Sequence, residues 1–403
     1  MLKEIDAILA AREAGIIALR RRLHACPEPG FAEFETSRIV AETLGGLGCQ
    51  VQTGIAGTGV VGFIAGRSKG PTIALRSDMD ALPLTEETGL PFASKNPGMM
   101  HACGHDAHLA IVLGAAAVLV ELRQRFAGGV KLIFQPAEEL LGGGKAMVEA
   151  GVLEDPRVDA VLGVHVWPQV AAGKVGFRPG PVMAALDSFR ITLTGKSSHA
   201  ATPHLGRDAL VAGAYLVTEL QGILSREIDP LSPAVLSVGR FQSGTASNVV
   251  ADAAELLGTV RTLDESLRQE LPRRLKAKVD AIAAAWGVDG QLEYTAGYPT
   301  LRNDPALTLF IRDRLAARLG EDALHAVPNP SLTAEDFAYF AERVPATYLL
   351  LGVGQASGVT YPLHHPKFYA PDEAVVLGIR ALVLGALGFL TGRDVASAPS
   401  PAE

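Results

Sequence analysis

Cysteine is scarce in this chain: Cys26, Cys49 and Cys103 are the whole supply in 403 residues. An odd, sparse set argues against a disulfide framework and fits a reducing cytoplasm. No apolar run reaches the length of a membrane span. The most apolar segments, Leu109–Leu122 and Ala374–Leu390, carry Gly or charge and read as buried helices. The first eight residues hold Lys3, Glu4 and Asp6 and lack the apolar stretch of a secretory signal. Basic charge is not in excess either. A net charge of −7 argues against nucleic acid as the main partner. The densest basic run, Arg20-Arg21-Arg22, lies in a helical pattern and reads as a solvated or inter-domain face. These absences fit a cytoplasmic protein with neither nucleic acid nor a membrane as its main partner.

What the chain does have is concentrated at residues 101–108, His-Ala-Cys-Gly-His-Asp-Ala-His. A core helix prefers apolar residues there and a solvated face prefers Lys and Glu. A transition-metal site calls for imidazole, thiolate and carboxylate together. The alternative is a polar loop whose histidines cap a helix.

The length allows two domains, and the 48% of hydrophobic residues allows a large core. Helical patterns cover roughly Leu2–Cys26, Glu33–Gly46 and 106–125. Short β-rich runs lie at Gln50–Gln52, Gly59–Ala65, Thr72–Arg76, Val130–Phe134 and Ala160–Val166. Three of the apolar runs lead straight into polar clusters: Ser77-Asp78-Met79-Asp80, Gln135-Pro136-Ala137-Glu138-Glu139, and His165 with Trp167. Ligands bind beyond the carboxyl ends of strands in an open α/β sheet, so these clusters are expected to converge. From Asp187 the pattern changes to β-α-β-β-α-β, a ferredoxin-like sandwich of about 110 residues inserted in the parent domain.

Adjacent carboxylates such as Glu138-Glu139 repel unless something positive is near. At a strand end they point in different directions. One can bind metal while the other takes a proton from water. Asp78 and Asp80 share a face of an extended segment, and Asp80 can orient a ligand imidazole from behind. The alternative is that both cap a turn. His165, His199 and the pair His364-His365 are the remaining candidates.

These pieces resemble, in order and spacing, the metal-dependent aminoacylases, including hippurate hydrolase and the plant indoleacetyl-amino-acid amidohydrolases. The resemblance rests on Leu75 to Pro83, Met100 to His108, Phe134 to Glu139 and Gly163-Val164-His165-Val166. It continues through Ser197-Ser198-His199-Ala200-Ala201-Thr202-Pro203-His204, Gly244 to Val250, Ala334 to Ala338 and Leu363-His364-His365-Pro366. It implies a mixed-sheet, zinc-exopeptidase-like α/β catalytic domain over 1–185 and 298–392. It also implies a ferredoxin-like α+β dimerisation domain over 186–297, and 393–403 reads as a disordered tail. It implies two divalent metals (Mn, Zn, Co or Ni) on Cys103, His105, Glu139, His165 and His364, with Cys103 as a possible bridge. His364 is preferred to His365 because the family pattern reads Leu-His-x-Pro. Glu138 would be the general base and acid, and His199 would stabilise the oxyanion across the interface of a homodimer or higher oligomer. Asn248 would hold the substrate carboxylate. The remaining polar residues of the first cluster, His101, Asp106 and His108, fall to loop shaping, capping and support. The implied reaction is hydrolysis of an N-acyl amino acid; a metallo-carboxypeptidase or dipeptidase on the same scaffold is the alternative.

Overall fold

The computed structural model describes residues 2–140, 142–355 and 358–392. The tail read from Arg393 lies outside the described residues. The described residues form two compact units: one from within 2–182, 302–329 and 336–392, the other from Met183–Leu301 and Pro330–Glu335. The short return of 330–335 joins the second unit through its backbone. Arg261 Nη1 donates to Leu332 O (2.9 Å) and Ala184 N to Thr333 O (2.9 Å).

In chain order the first unit contains α1 (Leu2–His24), α2 (Phe34–Gly46), β1 (Gln50–Ile55), β2 (Gly59–Ala65), β3 (Thr72–Asp78), α3 (His105–Glu121) and β4 (Gly129–Gln135). It continues with α4 (Gly143–Glu149), β5 (Ala160–Ala171), β6 (Val175–Phe177), α5 (Pro305–Leu319), β7 (Leu324–Ala326), β8 (Ala346–Gly354) and α6 (Asp372–Thr391). One mixed sheet of eight strands runs β1-β2-β4-β3-β5-β8-β6-β7. Its centre, β4-β3-β5-β8, is parallel. β3, β4 and β8 are buried along their whole length, as expected of strands covered on both faces.

The parallel centre puts carboxyl ends on one edge. Asp78 pairs with Gln135, and Arg76 with Gly163. β5 continues to Ala171, so His165 lies within the strand and not at the end that the apolar run suggests. Pairing with β3 stops at Gly163, and His165 stands two residues past it, still paired to Leu350 of β8.

α3 is apolar on every side, and residues 105–119 are all buried, the pattern of a helix wrapped by core. It crosses α6 closely because both offer glycine. A Cβ at Gly114 would lie 2.5 Å from Ile379 Cδ1, and one at Gly378 would lie 2.6 Å from Ile111 Cδ1. Among the described residues α6 alone is long and apolar enough to cross a membrane. Here Leu382, Val383 and Leu387 are fully buried in the protein core.

The basic run on α1 is not a solvated face. Arg20 follows Ile16 by four residues and precedes Leu23 by three, so it shares their inward stripe and is 1% exposed. Its guanidinium meets Asp106 Oδ2 (3.0 Å) and Asp372 Oδ1 (2.8 Å). Only Arg21 and Arg22 reach solvent.

The second unit has an antiparallel sheet in the order Ala234–Ser243, Ala253–Thr262, Ala185–Thr194, Asp289–Tyr298. With helices Ala209–Gly222 and Glu265–Trp286 this is the split β-α-β topology of ferredoxin-like folds. Alternate residues Phe189, Ile191 and Leu193 face a core shared with Leu216, Leu220, Leu271 and Leu275. Asp208 and Asp264 cap the two helices, accepting from Leu210 N and Leu267 N.

Candidate metal centre

Cys103 and His105 flank Gly104, which opens α3 in a left-handed conformation (φ 85°). A Cβ there would lie 2.5 Å from Val166 Cγ2, so only glycine lets this turn close onto β5. His105 Nδ1 donates to Asp80 O (2.8 Å) and lies 3.4 Å from Asp80 Oδ1. That leaves Nε2 buried with no hydrogen-bond partner. His165 Nδ1 donates to Val166 O (2.7 Å), and its Nε2 lies 3.4 Å from Cys103 Sγ. Each ring is thus held through its Nδ1, which turns its Nε2 toward the site.

Glu138 and Glu139 leave β4 through Ala137, itself left-handed (φ 51°). Glu33 Oε1 accepts from Ala137 N (2.8 Å), and Asp80 Oδ2 accepts from Glu139 N (2.9 Å). Asp80 therefore orients an imidazole and a carboxylate-bearing backbone at once. His364 is also left-handed (φ 63°); its N donates to Ala102 O (2.9 Å) and its Nε2 lies 3.1 Å from Glu139 Oε1. His365 turns elsewhere, stacking on Tyr361 (4.6 Å between centroids) and accepting from Lys367 N.

One donor atom from each of Cys103, His105 and His165 lies within 4.8 Å of the other two. The same holds for Cys103, Glu139 and His364, and for His105, Glu138 and Glu139. Residues from α3, β5 and three loops thus meet beyond the carboxyl ends of the central strands.

The electrostatics ask for a cation. Burial, then Glu139, Glu138 and Asp78, push the Cys103 thiol well above its usual range. Burial, then His108, hold His165 well below the usual imidazole value, so it stays neutral. Burial acts to lower His105, but Asp78 and Asp80 outweigh it and push it up to about 10. A proton on His105 offsets part of the surrounding negative charge, and a divalent metal would displace it. The mixed N/O/S donor set suits borderline divalent metals, and the residues present fit such a group.

Behind the donors lies a buried polar frame. Asp78 accepts from His108 Nδ1 (2.8 Å) and Arg76 Nη1 (2.7 Å), and Arg76 also reaches Gln135 Oε1 (2.8 Å) and Asp336 Oδ1 (2.8 Å). Val166 N donates to His108 Nε2 (3.0 Å), so both nitrogens of His108 are engaged and it serves as a support. Asp106 pairs with Arg20 and His24. His101 is buried with neither ring nitrogen hydrogen-bonded, and burial lowers it to about 3. Sequence reasoning passed over Arg76, Gln135 and Glu33. A charged residue inside an apolar strand, as Arg76 is in Thr72–Asp78, was the available signal.

His199 and Asn248 lie in the second unit, side by side. Ala200 N donates to Asn248 O (3.0 Å), and His199 pairs with Val249 in a two-residue ladder. Both side chains are exposed, and His199 Nδ1 accepts from Ala201 N (3.0 Å).

The sequence profile of peptidase family M20/M25/M40 matches residues 74–386. The chain is 41% identical to an N-acetyl-L-cysteine deacetylase of Bacillus subtilis, over 91% of this chain and 86% of that protein. It is 40% identical to thermostable carboxypeptidase 1 of Saccharolobus solfataricus, over 94% and 96%. Among solved structures it superposes on a dinuclear metal-binding M20 peptidase of Bacillus subtilis with a TM-score of 0.83 and 35% identity, covering 94% of this chain and 99% of that one.

Proposed function

The chain belongs to peptidase family M20/M25/M40 and is a hydrolase of amide bonds, and on that footing we propose that it cleaves N-acyl amino acids to a carboxylic acid and a free amino acid. The observation that carries this reading is the convergence of Cys103, His105, Glu139, His165 and His364 beside Glu138. These five residues would hold two divalent ions drawn from Mn, Zn, Co and Ni. When bound, such ions supply Lewis acidity, lowering the pKa of water and polarising the amide carbonyl.

The chain's own residues do the rest. Glu138 takes a proton from the water that attacks the carbonyl carbon. It returns that proton to the amide nitrogen as the C–N bond breaks. Asp80 keeps His105 and Glu139 in register for this. His199 donates to the oxyanion across a homodimer interface, and Asn248 binds the substrate carboxylate. What supports both roles is their exposure and their adjacency at one two-residue ladder. Free Cys26, Cys49 and Cys103 support a cytoplasmic setting.

A carboxypeptidase acting on peptides is the second reading, favoured by the relative that bears that name. Metal-loaded protein is expected to hydrolyse N-acetyl or N-benzoyl amino acids faster than free dipeptides, and to lose activity with a chelator. Faster turnover of dipeptides selects the second reading, and no turnover of any N-acyl amino acid overturns the first.

A further inference from the structure

Two large apolar side chains stand in water on segments that meet next to the carboxylate pair. Leu140 follows Glu139 and is 56% exposed, and Phe31 is 45% exposed. Neither belongs to the hydrophobic core. Gly30 brings their segments together: a Cβ there would lie 2.8 Å from Ala137 Cβ and 2.9 Å from Leu140 Cδ1.

The Phe31 segment is fastened on both sides to the site. Buried Glu33 accepts from Ala137 N (2.8 Å) and from Thr58 Oγ1 (2.5 Å). Glu28 O accepts from Ala81 N (2.8 Å), next to Asp80. Phe31 itself is left-handed (φ 61°), a conformation that costs a bulky residue and is easy for glycine. A bulky residue held in a left-handed backbone points to a use beyond packing.

We infer that Phe31 and Leu140 form the wall that receives the acyl group, and that they select apolar acyl groups larger than acetyl. This rests on the N-acyl amino-acid reading above. Charge decides which end of the substrate lies here. Residues 27–34 and 136–144 contain Glu28, Glu33, Glu138 and Glu139 but no Lys or Arg. No basic side chain of these segments is there to hold the free carboxylate of an N-acyl amino acid, which the reading above gives to Asn248, so the neutral acyl group is the end that faces this wall. The acyl group also covers apolar surface that is otherwise wet.

The test compares N-acetyl and N-benzoyl derivatives of one amino acid on metal-loaded, full-length protein. The variants are Phe31→Gly and Leu140→Ser. The benzoyl-to-acetyl ratio of kcat/KM is expected to fall about tenfold in each. Phe31→Gly is expected to keep or raise Tm, because glycine is at ease at this φ. A ratio within about twofold of the wild type in both variants overturns the inference. So does a lowered Tm in Phe31→Gly with an unmoved ratio, which assigns Phe31 to the fold. Wild-type protein inactive on every N-acyl amino acid takes down the reaction itself, whereas an unmoved ratio takes down only the wall.

Discussion

His105 opens a helix and is 1% exposed, whereas His199 sits on a two-residue ladder and lies in water. Around His105 the ring and the neighbouring backbone are held from several sides. Asp80 fixes the ring and the Glu139 backbone, Gly104 fixes the turn, and Ala102 O fixes His364. Around His199 the backbone register is set by the ladder with Val249, and one ring nitrogen accepts from Ala201 N. The first region is preorganised within one chain, which is how a site holds donor atoms to a fraction of an ångström. The second presents a rigid backbone and an uncovered ring. Any catalytic part His199 plays depends on what closes over it.

The sharpest way to test that contrast is to remove one side chain from each region. Glu138→Gln takes away the proton carrier and leaves the donor set intact. Turnover is expected to drop about 100- to 10,000-fold with the metal content of the protein unchanged. Steady-state kinetics with elemental analysis of the same sample checks both halves, and activity near the wild-type level removes Glu138 from its role. His199→Ala is expected to cost somewhat less, about 100- to 1,000-fold in kcat, the usual cost of losing one oxyanion donor. Mixing it with inactive Glu138→Gln protein sharpens the result. If His199 acts across a dimer, hybrid dimers regain activity. If each subunit uses its own His199, the mixture stays silent.

The difference between the regions also governs what could be read without coordinates. The donors of the first region follow apolar strands, and a parallel sheet carries such strand ends to one edge, so Asp78, Asp80, Glu138 and Glu139 were legible as a group. His165 was legible as a candidate, although β5 runs on past it to Ala171. Other features depend on partners distant in sequence. Arg20 looked solvated in a basic run, and only Asp106 and Asp372 from other elements reveal why it is buried. His108 has the composition of a ligand, and it is a backbone N–H of β5 that occupies its second nitrogen. The left-handed backbone at Phe31, Ala137 and His364 has no signature in residue type, since none of these is glycine. In the second region the β-α-β-β-α-β pattern was legible, but exposed side chains such as His199 and Asn248 carry no burial pattern to read.

The smallest expected effect lies in the frame and not in the chemistry. His24 donates from Nδ1 toward Asp106 Oδ2 (2.9 Å) and from Nε2 toward Glu86 Oε1 (3.2 Å), and all three side chains are at most 3% exposed. Burial acts to lower its pKa, but Asp106 and Glu86 outweigh it and push it up to about 9. The unfolded chain has the ordinary value near 6.5. The folded value is the higher one, so this bridge stabilises fully below about pH 6.5 and its contribution is lost as pH rises through about 9. The amount at stake is on the order of 3 kcal/mol. Urea unfolding of the wild type and His24→Gln from pH 6 to 10 measures it. The stability difference between the two is expected to shrink across that window, while a difference that stays flat would mean His24 is neutral in the fold. A shrinking difference would carry the contrast between the regions into residues that touch neither metal nor substrate, because the helix that opens at His105 would be held from behind by a protonated histidine between two carboxylates.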